Sequence, residues 1–394
     1  AEILKSNDDD FDVSMIVYTK LLSKFISDGF KEFDEGLMED VSHFHERLRR
    51  GSVIKHSNMA IVDEFQDFKS SWIDNVKRHS DAQIWLGDAT QQIYEDARND
   101  GGVNRLYDEF EDNHIALDVN YRNSISVAQF AKHFMVLHEF DKISGDTESD
   151  KLKHKINKFI QPIHKNENQN SAANNQPNVF IEASNEDEEY DMLATIIKQL
   201  INSEEPKTHI AVAHLHNTEV DRINQALQDR GVDTFRVNTR LGSENLPDFT
   251  KKKLVILSTM HSLKGLQADY IFFPRTEKKK IRFWDDKDPE ILDNLCYVLF
   301  TRATRRVYCS YTNKSESYVW NKVFGNNTNP DINRMDDFFV YVDADDFDGG
   351  GGGAGGGVPV VSEKDVRKSV SKSEETIEDQ IKKHFSLFDD EDID

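Results

Sequence analysis

Residues 59–67 read Met-Ala-Ile-Val-Asp-Glu-Phe-Gln-Asp, a short apolar run that ends abruptly on carboxylates and a glutamine. The run has the character of a buried parallel strand, with the acids at its carboxyl end. In open α/β sheets that end is where ligands bind, so acids placed there face a bound group. Of the adjacent pair, one carboxylate can hold Mg²⁺ while the other orients or deprotonates a water. A strand running into an acidic surface turn would read the same way from these residues alone.

The remaining chain decides between those readings. Its 394 residues suffice for two ordinary domains and a tail. No run approaches the length of a membrane helix, and the chain starts without a charged-then-apolar leader, so a cytoplasmic location is expected. Cys296 and Cys309 lie in apolar surroundings without metal-ligand spacing and are expected in the core. A formal charge of -23 excludes a protein that coats nucleic acid through its whole surface, and leaves room for a local basic channel.

Pattern and punctuation predict a strand over residues 13–18, a helix over 21–33, a polar helical connection to Arg50, and the acidic strand at 59–62. A helix over 71–78 and a strand over 83–86, stopping at Gly87-Asp88, follow. This rhythm predicts a parallel sheet with crossover helices. A second α/β unit starts near Leu117, with a helix over 126–138 and a polar segment, 145–177, expected as a mobile loop. Strands are expected over 179–182, 209–213, 234–237 and 254–258, with helices over 187–201 and 219–230. The boundaries are therefore 1–116 for one lobe, 117–345 for a second, and 346–394 for a linker and charged tail. The linker is the glycine run 349–357, broken only by Ala354.

Five motifs punctuate this frame. They are Asp63-Glu64-Phe65-Gln66-Asp67, the stretch Gly87 to Tyr94, the stretch Leu117 to Ser124, the stretch Thr259 to Gln267, and Tyr297-Val298-Leu299-Phe300-Thr301-Arg302-Ala303. In order, spacing and strand-end placement the series closely resembles superfamily 1 helicases of the UvrD/Rep type. The resemblance implies two RecA-like parallel-sheet lobes with a nucleotide cleft between them. It also implies ATP-dependent movement along single-stranded DNA or a partial duplex, 3′ to 5′, in repair, replication or phage defence. A non-catalytic, helicase-like scaffold that holds DNA or a nuclease partner is the alternative.

By that resemblance Asp63 holds Mg²⁺, Glu64 is the catalytic base, and Gln66 and Gln91 sense the γ-phosphate of ATP. Arg122 and Arg302 resemble arginine fingers from the second lobe, a role suited to a planar cation that stays charged. Tyr121 resembles the aromatic that stacks on the nucleotide base. Gly265 and Gln267 would lie by the nucleotide, Gly265 permitting a tight turn and Gln267 standing where the family has a glutamate near the ribose. Thr259, His261 and Lys264 resemble the motif linking the nucleotide to the nucleic acid track, and Thr19 and Lys20 the residues that touch its backbone.

Two further departures and one addition in the tail matter. No Gly-x-x-x-x-Gly-Lys-Ser/Thr segment occurs in residues 1–394, so the phosphate-cradling loop is expected upstream of Ala1, and this chain alone is expected to be inactive without it. After Tyr94 the family places an aromatic and Arg-Gly, whereas Glu95-Asp96-Ala97-Arg98 follows here, which leaves base stacking to Tyr94. In the tail, His384-Phe385-Ser386-Leu387-Phe388 resembles the short peptide by which bacterial proteins dock on the sliding clamp, with His384 and Phe385 off the usual pattern. The end of a helix packed on its own domain is the other reading.

Overall fold

The computed structural model describes residues 11–31, 41–43, 56–88, 91–94, 97, 100, 102–110, 115, 120, 122–135, 176–203, 205–237, 246–285, 289–325 and 339–343. The segment at 145–175, the glycine run, the tail peptide and Tyr121 lie outside these residues.

The apolar run of the acidic strand pairs on both sides with other short apolar strands. β1 (Val13–Val17), β2 (Val41–His43), β3 (Ser57–Val62) and β4 (Ser80–Trp85) form one sheet in the order β2-β1-β3-β4. A second sheet has the order β11-β5-β10-β9-β6-β8-β7, with β5 at Asn178–Glu182, β6 at Thr208–His214, β7 at Phe235–Arg236, β8 at Lys253–Thr259, β9 at Ala268–Phe273, β10 at Ala303–Tyr311 and β11 at Phe339–Asp343. Every described pairing between these strands is parallel. The class is therefore α/β with two parallel sheets, as the motif series implied.

Parallel sheets bury both faces, which explains why every residue of β6 is buried. One face of the second sheet packs Tyr190, Leu193 and Ile197 of α5 (Glu186–Ile201) and Val220, Ile223 and Leu227 of α6 (Asn217–Asp229). The other face packs Leu292, Leu295 and Leu299 of α8 (Pro289–Phe300) with Phe130 and Phe134. Cys296 and Cys309 are both buried. Leu21, on α1 (Lys20–Lys31), and Ile93 belong to this second core although they follow strands of the first sheet, so the two sheets share an apolar junction.

Several elements differ from the sequence expectation. Val41–His43 is a strand, where a helical connection was expected: three residues with one strong apolar side chain give no period, and only pairing with Met15–Val17 makes them extended. The helix expected over 126–138 is shorter, an α-helix at Ile125–Ala131 that tightens to a 3₁₀ turn at Lys132–Phe134. β4 begins at polar Ser80, held by the Val76 carbonyl, because pairing with β3 continues past its apolar part.

Candidate active site

The acidic strand delivers its carboxylates through a tight reversal. Glu64 has φ 56° and ψ 40°, a left-handed conformation that a non-glycine residue adopts at a cost of about 1–3 kcal/mol, usually where function needs the geometry. The Glu64 amide donates to Asp63 Oδ1 at 2.9 Å, and the Phe65 amide donates to the Leu86 carbonyl at 3.1 Å, which ties the reversal to the end of β4. A 3₁₀ turn over Phe65–Asp67 follows, with all three side chains buried.

Gln66 organises the pocket floor. Its Nε2 donates to Glu64 Oε2 at 2.5 Å, its Oε1 accepts the Asp88 amide at 3.2 Å, and its carbonyl accepts Gln92 Nε2 at 2.6 Å. Gly87 must be small, since a Cβ there would lie 2.3 Å from Gln66 Oε1. Gln91 donates from Nε2 to Asp88 Oδ2 at 3.1 Å, so Gln91 is tied through Asp88 to Gln66.

Cations enter from the second sheet. Arg302 follows α8, and its Nε caps the Val298 carbonyl at 3.0 Å, a favourable place for a cation at a helix C-terminus. Its guanidinium, 2% exposed, donates to Gln91 Oε1 and lies 3.9 Å from Glu64 Oε1. Burial and the neighbouring Arg122 push its pKa down to about 10, so it stays charged at neutral pH. Arg122 is exposed and near enough to influence Asp63 and Arg302.

Lys264, expected in the motif that links the nucleotide to the nucleic acid track, is buried at the junction of the two sheets. Its ammonium is 1% exposed, 2.5 Å from Asp67 Oδ2 and 3.7 Å from Glu64 Oε2, and it donates to the Gln91 carbonyl. The reason is topological: β8 and β9 flank β6, so residues 260–267 must run from the carboxyl end of one strand to the amino end of the other, which carries Lys264 to the junction. Gly265 has φ 85°, and a Cβ on it would lie 2.5 Å from Leu22 Cδ2, so the turn packs directly on α1.

The carboxylates carry the electrostatic imprint of this burial. Burial and Glu64 raise Asp63 to about 6, against the opposing pull of Arg302 and Arg122. Burial lifts Asp67 to about 7 although Lys264 pulls it down. Asp67 is the residue that motif reading left without a role; a third acid four positions after Asp63, on a turn that brings it back beside the pair, was the available signal.

The remaining candidates form a band beside this junction. Tyr94 packs on Tyr18 with ring centroids 4.7 Å apart and lies 5.8 Å from the His261 ring. Burial, then Lys264, lowers His261 to about 4, so its imidazole is neutral at pH 7. Thr19 caps α1 by accepting the Leu22 amide at 3.1 Å, and its hydroxyl reaches the Lys264 carbonyl at 3.5 Å, with Lys20 opening the helix. Thr259 donates to Ser262 at 3.0 Å, and Gln267 is exposed. The structure thus brings Asp63, Glu64, Gln66, Gln91, Arg302 and Lys264 into one cluster and does not bring Gln267 into contact with it.

Residues 102–309 match the model of the AAA domain family. No curated protein matches the chain. Among solved structures, the C-terminal domain of a possible DNA helicase from Lactobacillus plantarum is similar at 16% identity over 52% of this chain and 94% of that one, with a TM-score of 0.33. Dbp5 of S. cerevisiae bound to RNA and ADP BeF3 is similar at 12% identity over 93% of this chain and 83% of that one, with a TM-score of 0.45. No described helix is long and apolar enough to cross a membrane. With more than half its length matched, the chain belongs to the AAA domain family, in a form that occurs in superfamily 1 helicases, which supports a helicase-family function.

Proposed function

We propose that the chain is the motor of an ATP-dependent DNA helicase or translocase of the UvrD/Rep type, moving 3′ to 5′ on single-stranded DNA. The observation that carries this reading is the approach of Arg302 from the second sheet to Gln91 and Glu64 of the first. Phosphoryl transfer to water needs an oriented water, a metal on the phosphates and cations facing the charge that develops. Glu64, held by Gln66 and by its own strained backbone, is the group that orients and deprotonates the water. Arg302 and Arg122 face the γ-phosphate, and Gln66 and Gln91 connect the acids to the arginine.

The residues present fit a nucleotide-borne Mg²⁺. Asp63 offers one carboxylate, Oδ2 of which takes no hydrogen bond from the described residues, and among those residues no group of three His, Cys, Asp or Glu holds a metal by itself. Mg²⁺ is commonly held by one or two carboxylates with the phosphates and water completing its shell. The metal, when bound, neutralises charge on the phosphates. Lys264 balances Asp67 and Glu64 and ties residues 260–267, with His261 and Tyr94 beside them, to the hydrolytic cluster. Single-stranded DNA over Tyr94, His261, Thr19 and Thr259 would therefore act on the same loop that carries Lys264.

The test is DNA-stimulated ATP hydrolysis by the full-length protein, which includes the phosphate-cradling loop expected upstream of Ala1, and by its Glu64→Gln variant. Loss of about 10²- to 10⁴-fold with nucleotide binding retained is expected for removal of a general base. Undiminished hydrolysis in the variant would overturn the assignment, and DNA binding without hydrolysis in the wild type would favour the scaffold reading.

A further inference from the structure

The start of β10 is irregular: Ala303 pairs with Ala268, and the register then shifts before Arg306 pairs with Tyr270. Five consecutive carbonyls in this irregular stretch nevertheless all find donors. Thr301 and Ala303 carbonyls both accept from Asn123 Nδ2, at 2.9 and 2.6 Å. The Arg302 carbonyl between them accepts the Ala268 amide at 3.0 Å. The Thr304 carbonyl accepts the Ser124 amide at 3.1 Å, and the Arg305 carbonyl accepts Ser124 Oγ at 2.9 Å. Asn123 is fixed in turn, because Asn120 Nδ2 donates to its Oδ1 at 3.1 Å and Asn120 Oδ1 accepts the Arg122 and Asn123 amides at 3.2 Å each.

We infer that Asn123 is a positioning residue for both arginines, clamping the backbone on either side of Arg302 with one amide while its own turn aims Arg122. This rests on the proposed hydrolytic role of the arginines. One side-chain nitrogen holds the two carbonyls that flank Arg302, so rotation of either peptide would swing the guanidinium away from Gln91 and Glu64. The same nitrogen belongs to the residue next to Arg122, so the two cations move as one unit. An aspartate has the shape of asparagine and presents an oxygen to both carbonyls, replacing two attractive contacts by two repulsive ones. A serine offers one donor and can hold one carbonyl at most.

The experiment compares, in the full-length protein that includes the phosphate-cradling loop, wild type, Asn123→Ser, Asn123→Asp and Arg302→Ala, alone and with Asn123→Asp in the Arg302→Ala background. Displacing a catalytic group by about 1 Å costs on the order of 10²-fold, so kcat is expected to fall about 10- to 100-fold in Asn123→Asp and less in Asn123→Ser, with KM for ATP within about twofold of wild type. In the Arg302→Ala background Asn123→Asp is expected to add little. A fall in KM and kcat together, or a full additional loss on top of Arg302→Ala, overturns the inference. Amide hydrogen exchange of the nucleotide-free full chain decides the clamp independently of turnover. Acceleration of about tenfold or more confined to residues 120–124 and 299–306 upholds it, and unchanged or uniformly accelerated exchange overturns it. Inactivity of the full-length wild type, with the phosphate-cradling loop present, would overturn the proposed function, and the exchange pattern would still uphold or overturn the clamp.

Discussion

Lys264→Met is the substitution that most directly probes the junction. In the wild type the ammonium lies 2.5 Å from Asp67 Oδ2, with Asp67 wholly buried and Lys264 1% exposed. Methionine keeps much of the volume and removes the charge. Breaking a buried pair by removing one partner costs about 3–5 kcal/mol, because the other charge is left without compensation. The cost depends on pH in a direction the acid dictates. Asp67 titrates at about 7 in the folded protein against an ordinary 3.8, so the folded state binds its proton more tightly than the unfolded state does. Its contribution to stability is therefore full below about pH 4 and is lost as pH rises through about 7. Near pH 8 the variant must bury an uncompensated carboxylate, whereas near pH 5.5 the acid is already neutral and the loss falls to about 1–2 kcal/mol, the scale of a lost buried hydrogen bond. Urea unfolding followed by tryptophan fluorescence at the two pH values measures both. An equal loss at both, or a loss under about 0.5 kcal/mol near pH 8 as an exposed pair would show, would refute the reasoning.

Other expected outcomes follow from single contacts. Gly87→Ala places a Cβ 2.3 Å from Gln66 Oε1 and 2.7 Å from the Phe65 ring, and is expected to cost about 1–3 kcal/mol in urea unfolding. Gly265→Ala meets both a φ of 85° and Leu22 Cδ2 at 2.5 Å; a double-mutant cycle with Leu22→Ala should show coupling of about 1 kcal/mol, and strict additivity would deny the contact. Arg302→Ala is expected to lower DNA-stimulated ATP hydrolysis by about 10³-fold or more, with Arg302→Lys recovering little because one ammonium cannot span Gln91 and the γ-phosphate together.

Much of the site was legible locally. Asp63, Glu64 and Gln66 announce themselves because the acids terminate an apolar run, and strand-end placement follows from that pattern without any distant contact. The two arginines were legible through motif order and spacing. The sheets could be read where periodicity was strong, as at Thr208–His214, and not at Val41–His43, where three residues become a strand only through a neighbour 26 positions away in the chain.

What the sequence by itself determined is the set of elements and the chemistry gathered at their ends, since hydrophobic period and residue type act over a few positions. Which groups meet was decided by the tertiary structure alone. Lys264 reads as a polar loop residue beside nucleic acid, and only the crossing of residues 260–267 over β6 puts its ammonium on Asp67, nearly two hundred residues earlier in the chain. Asn123 likewise reads as an ordinary turn residue until the irregular start of β10 leaves the carbonyls around Arg302 in need of a donor. Both roles depend on burial, because a carboxylate or carbonyl that water could reach would have no need of either partner.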